Sequence, residues 1–404
     1  MRWNTARLGD VAEFVNGGAW KQSEYVHAGI PVARVSDFHN GTIDLASCKY
    51  LPESSLSKYR KHELRTGDLV IATVGSHPTQ PASVVGQPVI VPPQASGALL
   101  NQNAVRISPA DDRLDKRFLG YVGRSPLFRA YVIEHARGSA NQVRVAIGAL
   151  REMKIPLPDL SVQLRIGEVL SFFDALIEND TRRIAILEQM AEAVYREWFI
   201  DFRFPDHEQV EIVESELGSL PAGWNVIRID EALSFQTGRT IPKEDRGGSE
   251  VPVYGANGII GYADGDPMHP PCTILGKIGS CGSLHRSFVP CWVTNNAFSV
   301  GPNLVKSPEL IWHLVGRIEW APYIGGSANP YMPDTAFGHH LVAVAPESVQ
   351  AQFENLLHPG SAMQHILRKR SAKLGRTRDL LLPKLISGEI DVEIVDRRLV
   401  EPVA

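Results

Sequence analysis

The sequence predicts an α+β fold made of two globular units in tandem, each followed by a long helix. Three observations predict it: a repeat that runs in order through both halves, short apolar runs punctuated by Gly and Pro within each half, and a long helical period after each. A chain of 404 residues has room for two or three domains of ordinary size. Composition and period set the expected boundaries: a globular unit over 1–160, a helical spacer over 161–217, a second globular unit over 218–349, and a second helical region with the tail over 350–404.

The repeat is read residue against residue. Arg7-Leu8-Gly9-Asp10-Val11-Ala12-Glu13-Phe14, with Gly17 after it, pairs with Arg228-Ile229-Asp230-Glu231-Ala232-Leu233-Ser234-Phe235 and Gly238. Further along, Val74-Gly75-Ser76 matches Ile278-Gly279-Ser280, Asn103-Ala104 matches Asn296-Ala297, Gly138-Ser139-Ala140-Asn141 matches Gly326-Ser327-Ala328-Asn329, and Ser161-Val162-Gln163 matches Ser348-Val349-Gln350. One match could be chance, but a series in register indicates a tandem duplication whose loops differ in length.

Within the units, Leu69 to Val74, Val84 to Val91, Ala104 to Ile107, Thr273 to Ile278 and Phe298 to Val300 read as strands, and Arg117 to Glu134 and Pro308 to Glu319 as helices. After Pro158 the period lengthens. Ile166, Leu170, Phe173, Ile177, Ile184, Leu187, Ala191, Val194 and Trp198 recur at spacings of four and three, with Asp180 the single polar member of that series. No Pro or Gly falls between Glu168 and Pro205, so one helix of about 35 residues, roughly 50 Å long, is expected there. The second series, Met363, Leu367, Leu374, Leu381 and Leu385, is interrupted by Arg370 and Thr377, and Gly360, Gly375 and Pro383 are expected to loosen or bend it. Segment 161–217 carries net charge -8, whereas seven basic residues face Asp379 on the second helix. Two solvated faces or two helices paired with each other both satisfy that pattern.

Polar loops lie between the strands. In the first unit they hold Ser76, His77, Thr79 and Gln80 with Asn101, Gln102 and Asn103, to which Arg34, Ser36, Asn141 and Arg144 are added. In the second they hold Lys277, Ser280, Ser283, His285 and Arg286 with Asn295 and Asn296, joined by Tyr254, Asn257, Asn329 and Tyr331. Asn and Gln can bond bidentately to adenine edges and Arg to guanine, so these loops are candidate base readers, although polar loops are also what ordinary surfaces carry.

Several classes lose support. There is no GxxxxGK[ST] loop, no GxGxxG after a strand, no HExxH and no GxSxG. Cys48, Cys272, Cys281 and Cys291 include no CxxC pair and His339-His340 are adjacent, so neither a metal site nor a disulfide framework is expected. No apolar run approaches a membrane span, and the start MRWNTARLGD lacks the layout of a signal peptide, so a cytoplasmic location is expected. The formal net charge is -4, with +5 on residues 1–160 and -3 on 218–349, so DNA affinity through charge alone is excluded and any nucleic-acid role rests on local patches or partners.

Against this background the chain resembles the specificity subunit of a Type I restriction-modification system. The strings RLGDVAEFVNGG, IPLPDLSVQLRIGEVL, AVYREWFIDFRF, LPAGWNVIRIDEA, VPVYGANGIIGY, VTNNAF and LLPKLISGEIDV look like that family's framework and span nearly the whole chain. The resemblance implies two target-recognition domains, each reading one half of a split target in double-stranded DNA. It also implies two long helices that form an antiparallel coiled-coil pair with pseudo-two-fold symmetry and bind two methyltransferase subunits, with restriction/translocase subunits as further partners. By the same resemblance this chain is not catalytic and holds no cofactor; S-adenosylmethionine, ATP and Mg belong to the partners. Helix length would then act as a ruler, so that four residues inserted into the first helix shift the readers by about 6 Å, close to two base-pair steps. Two other classes make different predictions. A self-sufficient DNA methyltransferase or nuclease with cryptic sites would act as the purified chain, and a protein-only scaffold would never bind DNA by sequence.

Overall fold

The computed structural model describes residues 3–39, 41–80, 83–139, 142–241, 245–326 and 328–393. The chain forms two compact units, residues 1–178 with 372–404 and residues 179–371. Both long helices contribute to both units: the first is Leu160–Phe199, 40 residues, and the second Glu347–Ser387, 41 residues. Among the described residues no helix is long and apolar enough to cross a membrane.

In the first unit, Ala12–Asn16, Ala104–Pro109, Leu69–Ala72 and Pro88–Ile90 form a four-stranded antiparallel sheet in that spatial order. Leu69–Ala72 is buried at every position, because the strand has a core on each face. Leu69 and Ile71 join Phe118, Val122 and Phe128 of the helices Lys116–Arg124 and Pro126–His135, whereas Val70 and Ala72 join Leu64, Val89 and Leu100. A smaller sheet sets Leu99–Leu100 parallel to Ile30–Ala33, and Thr5–Arg7 pairs with Lys154–Pro156.

The second unit repeats this topology. Leu233–Thr237, Ala297–Pro302, Cys272–Gly276 and Leu284–Ser287 form its four-stranded sheet, Trp292–Val293 runs parallel to Arg246–Gly255, and Asn225–Arg228 pairs with Leu341–Val344. The matched motifs do matched work. Gln163 is fully buried: its Oε1 accepts from the Asp115 amide at 2.8 Å and its Nε2 donates to the Arg113 and Pro158 carbonyls. Gln350 is buried likewise, bonding the Lys306 amide at 2.8 Å and the Leu304 and Ala345 carbonyls. Each glutamine thus ties the start of a long helix to the loop before the short capped helix of its unit, and a buried amide with three partners is satisfied in both places.

Several boundaries differ from expectation for identifiable reasons. The segment expected as one helix over Arg117 to Glu134 breaks into two, because Pro126 has no N–H to donate and Ser125 takes an extended conformation that caps the second helix. The strand expected over Val84 to Val91 is confined to Pro88–Ile90. The first long helix starts at Leu160 rather than near Glu168, with Gly167 against Arg117, where an added Cβ would stand 3.3 Å away. The second runs unbroken through Gly360, Gly375 and Pro383, because buried Phe353, Leu357, Leu367, Leu382 and Leu385 hold it by packing that outweighs propensity. Met363, expected on the apolar stripe, is exposed, and Gln364 is buried beside it.

Within each unit the two long helices meet. In the first, Leu170 and Phe173 share a core with Leu382 and Leu385, and Asp174 accepts from Tyr121 Oη at 2.7 Å, Arg124 Nη1 at 2.9 Å and Arg378. In the second, Tyr195 and Phe199 share a core with Phe353 and Leu357, and Glu188 pairs with Arg368. Asp180, the polar member of the first apolar series, has no exposed side-chain surface and receives the guanidinium of Arg370, with Nε at 2.7 Å. Two residues that each interrupt a stripe therefore answer one another, and Arg370 holds the Asp180 carboxyl below its usual range. A Cβ on Gly375 would meet Ile177 at 4.0 Å, ordinary van der Waals contact. Gly375→Ala is accordingly expected to stabilise the first unit by up to about 1 kcal/mol through helix propensity, read as a raised thermal midpoint; a lowered midpoint would show that the backbone there needs glycine.

Candidate nucleic-acid interface

The loops converge because strand ends and glycines bring them together. A Cβ on Gly17 would overlap the Asn101 carbonyl, and one on Gly238 would overlap the Val293 and Thr294 carbonyls, so only glycine lets the chain leaving Ala12–Asn16 and Leu233–Thr237 pass so close to the Asn-rich loop of its unit. In the first unit the Thr73 amide donates to Asn103 O at 2.7 Å, Val145 N to Thr73 O at 2.9 Å, Gln102 N to Gly18 O at 2.7 Å, and Ser83 Oγ to Ser76 O at 2.7 Å. Asn103 adopts φ +72°, a conformation asparagine tolerates better than most residues. In the second unit Lys277 N donates to Asn296 O at 2.9 Å, Met332 N to Lys277 O at 2.9 Å, Gly279 N to Pro330 O at 2.8 Å, and Ser283 Oγ to Ala256 O. Each unit therefore gathers three or four polar loops at one end of its main sheet.

The candidate residues divide by where their side chains stand. Ser36, Thr79, Gln102, Asn103 and Arg144 are exposed in the first unit, and Asn257, Ser280, Asn295, Asn296, Asn329 and Tyr331 in the second. Ser76, His77, Gln80, Asn101, Ser283 and His285 are half-buried. Within this group His77 Nδ1 lies 2.8 Å from Thr79 Oγ1, and Asn101 Nδ2 reaches Gly18 O and Tyr25 Oη. Asn141 lies outside the described residues.

Four candidates are turned into the protein. Arg34 clasps the buried Asp37, with Nη2 to Oδ1 at 2.8 Å and Nε to Oδ2 at 3.2 Å. Tyr254 is buried, its hydroxyl donating to Arg286 O at 3.3 Å. Lys277, also buried, bonds Thr237 Oγ1 at 3.0 Å, pairs with Asp334 and stands 4.9 Å from the Phe298 ring. Burial alone would push the Asp334 carboxyl up, but Lys277 and Thr237 hold it below its usual value. Arg286 grips the buried Glu309 with both terminal nitrogens at 2.7 Å. The positive charge of these two cations is spent internally.

Other features were not legible in the sequence. His285 Nε2 and Thr294 Oγ1 are buried atoms without a hydrogen-bond partner among the described residues. They adjoin the Asn257 turn, since a Cβ on Gly258 would touch the His285 ring and one on Gly255 would stand 3.7 Å from Thr294 Oγ1. Ile259, Ile260 and Tyr262 are exposed on Gly258–Ala263, an edge strand. The sulfurs of Cys272 and Cys291 lie 3.9 Å apart, a proximity their spacing did not reveal. Ligand atoms of Glu309, Glu354 and His358 lie within 4.8 Å of one another, but the carboxylates already serve Arg286, Ser307 and Ser361.

Residues 1–189 match the family model described as Type I restriction modification DNA specificity domain. The chain is 23% identical to the Type I restriction enzyme MjaIX specificity subunit of Methanocaldococcus jannaschii, over 97% of this chain and 94% of that relative. It is 28% identical to the MjaVIII specificity subunit of the same organism, over 44% of this chain and 40% of that one. Among solved structures, the Type-I restriction-modification system S subunit from M. genitalium has the same fold, with a TM-score of 0.64, 96% of each chain covered and 18% identity.

Proposed function

We propose, from the match of residues 1–189 to the Type I restriction modification DNA specificity domain, that the whole chain is the sequence-reading subunit of a Type I restriction-modification complex. The observation that carries the reading is the repeated loop cluster: two units of one topology present exposed Asn, Gln, Ser and Thr side chains from equivalent strand ends. Amide and hydroxyl groups held on a sheet rim suit base edges in the major groove. Two such clusters suit a target split into two half-sites, one read by residues 1–160 and the other by 218–349. The exposed members of each cluster, from Ser36 to Tyr331, are assigned to DNA, and beside them stand His285 Nε2 and Thr294 Oγ1, which have no hydrogen-bond partner among the described residues.

In this reading the long helices form an antiparallel coiled coil that relates the two readers by an approximate two-fold axis and fixes the unread gap between half-sites. They also carry two methyltransferase subunits, with restriction/translocase subunits joining that complex in the cytoplasm. Catalysis, S-adenosylmethionine, ATP and Mg belong to those partners, as the absence of nucleotide and cofactor motifs from this sequence suggests. Exposed apolar residues on the helices support the docking role: Phe172 and Leu380 in the first unit, and Ile186, Met190 and Ile366 in the second, are between 49% and 69% exposed. The double variant Leu380→Asp/Ile366→Asp is expected to lower co-purification of the methyltransferase by at least tenfold, about 1.4 kcal/mol or more, with an unchanged melting curve. Retained co-purification would move docking off these faces.

Methylome sequencing tests the function itself. A host expressing this chain with its neighbouring methyltransferase should show a split methylated motif that is missing when the methyltransferase is expressed alone. A motif identical in both hosts would reject the reader assignment.

A further inference from the structure

We propose that Arg137 and Arg144 of the first unit form a clamp for one phosphodiester of duplex DNA, a contact that adds affinity without reading sequence. The inference rests on the DNA-reading assignment above. The two arginines occupy directly opposed positions of the antiparallel hairpin formed by Ala136–Ser139 and Gln142–Val145, so their side chains leave the same face of the sheet. Alternation identifies that face: Val143 and Val145 enter the core, whereas Gln142, Arg144 and, across the ladder, Arg137 are exposed.

Two like charges on opposed positions repel, and among the described residues no carboxylate pairs with either. Arg137 Nη1 donates to the carbonyls of Glu134 at 2.6 Å and Ala136 at 3.1 Å, which steadies one edge of its guanidinium and adds no negative charge. A phosphodiester supplies what the hairpin lacks, an anion with oxygens enough to accept from both guanidinium groups. Position favours the same ligand: Arg144 pairs in register with Val74, two residues before Ser76 in the candidate reading loop, and Arg129 donates to Pro78 O of that loop at 3.2 Å. The corresponding hairpin of the second unit joins Gly325, Tyr331 and Ile278 and has no arginine at the bridged positions. The clamp is therefore particular to the first unit, in keeping with +5 on residues 1–160 and -3 on 218–349.

The full chain in complex with its methyltransferase, as wild type and as R137Q/R144Q, is titrated at several salt concentrations with a duplex carrying the methylated motif and with a scrambled duplex. The variant is expected to bind both duplexes about tenfold more weakly, with a slope of log affinity against log salt shallower by about 1. Its methylated motif should be unchanged, and it should melt no lower than the wild type because repulsion is removed. Unchanged affinity and slope with motif-specific binding retained would overturn the clamp and leave the reading standing. An altered motif would overturn it by making the pair a base reader, and a lower melting temperature by making the pair structural. A wild-type complex without motif-specific binding would overturn the reading itself and the clamp with it.

Discussion

Replacing Arg286 with alanine is expected to destabilise the second unit by about 3–5 kcal/mol, the range for stripping one partner from a buried ion pair. Glu309 is 1% exposed and Arg286 14%, and two hydrogen bonds of 2.7 Å join them. Without the guanidinium, the carboxylate would keep the Ser361 hydroxyl and little else. Arg286→Lys should recover only part of the loss, because an ammonium cannot reproduce the two-pronged geometry. A matched Arg286→Leu/Glu309→Leu pair should come close to wild type, since it removes both charges. The pH dependence has a definite sign. Burial pushes the Glu309 carboxyl up, but Arg286 and Ser361 outweigh it and hold the group below its ordinary value. The pair therefore contributes in full above the unfolded value near 4.3 and is lost as pH falls through the lower folded value. In Arg286→Ala the largest opposition to burial is gone, only the Ser361 hydroxyl bond remains beside the carboxyl, and its pKa rises, so the gap between variant and wild type should be widest at neutral pH and shrink on acidification. Urea unfolding at pH 7 and pH 4 measures both. Wild-type stability combined with lost DNA binding would instead place Arg286 at the DNA.

In the sequence Arg286 and Lys277 fall in polar stretches that look like reading loops, but Arg286 stands on the strand Leu284–Ser287 against Glu309, 23 residues further along, and Asp334 reaches Lys277 from elsewhere in the chain. A partner brought in by tertiary structure leaves no local signal, so the sign of an arginine's surroundings is invisible in one sequence. The repeat was legible for the opposite reason. Gly17 and Gly238 each permit one backbone crossing, and Gln163 and Gln350 each satisfy the same three backbone groups, so both copies retain residues whose jobs are fixed by the shared framework. Helix period was readable from the apolar spacing, but helix continuity was not, because packing around Leu367 and Leu385 overrides the glycines and Pro383. Asp180 and Arg370 were visible as exceptions in their stripes; that each is the other's partner emerged only from the fold.

Under the proposed reading of a split target, lengthening both long helices by four residues, after Glu178 in the first and after Ser371 in the second, is expected to widen the unread gap by about two base pairs while leaving both half-sites unchanged. Equal insertions are needed because the ion pairs fix register on each side: Asp174 with Arg378 in the first unit, and Asp180 with Arg370 and Glu188 with Arg368 in the second. Inserting in one helix alone would pull these apart, whereas paired insertion leaves every partner within its own unit. Four residues add about 6 Å and turn the helix by roughly 40° beyond a full turn. Two base pairs add about 7 Å and turn the duplex by roughly 70°, at about 10.5 base pairs per turn. The residual of about 30° is small enough for DNA twist to absorb at modest cost. Seven inserted residues give a harsher test: they add about 10.5 Å but fall roughly 20° short of whole turns, whereas three base pairs advance the duplex by about 100°. A ruler made of these helices therefore accepts the four-residue insert at a new spacing and loses most methylation with the seven-residue insert. A methylome in which both inserts keep the original gap would show that the helices do not set the distance between half-sites.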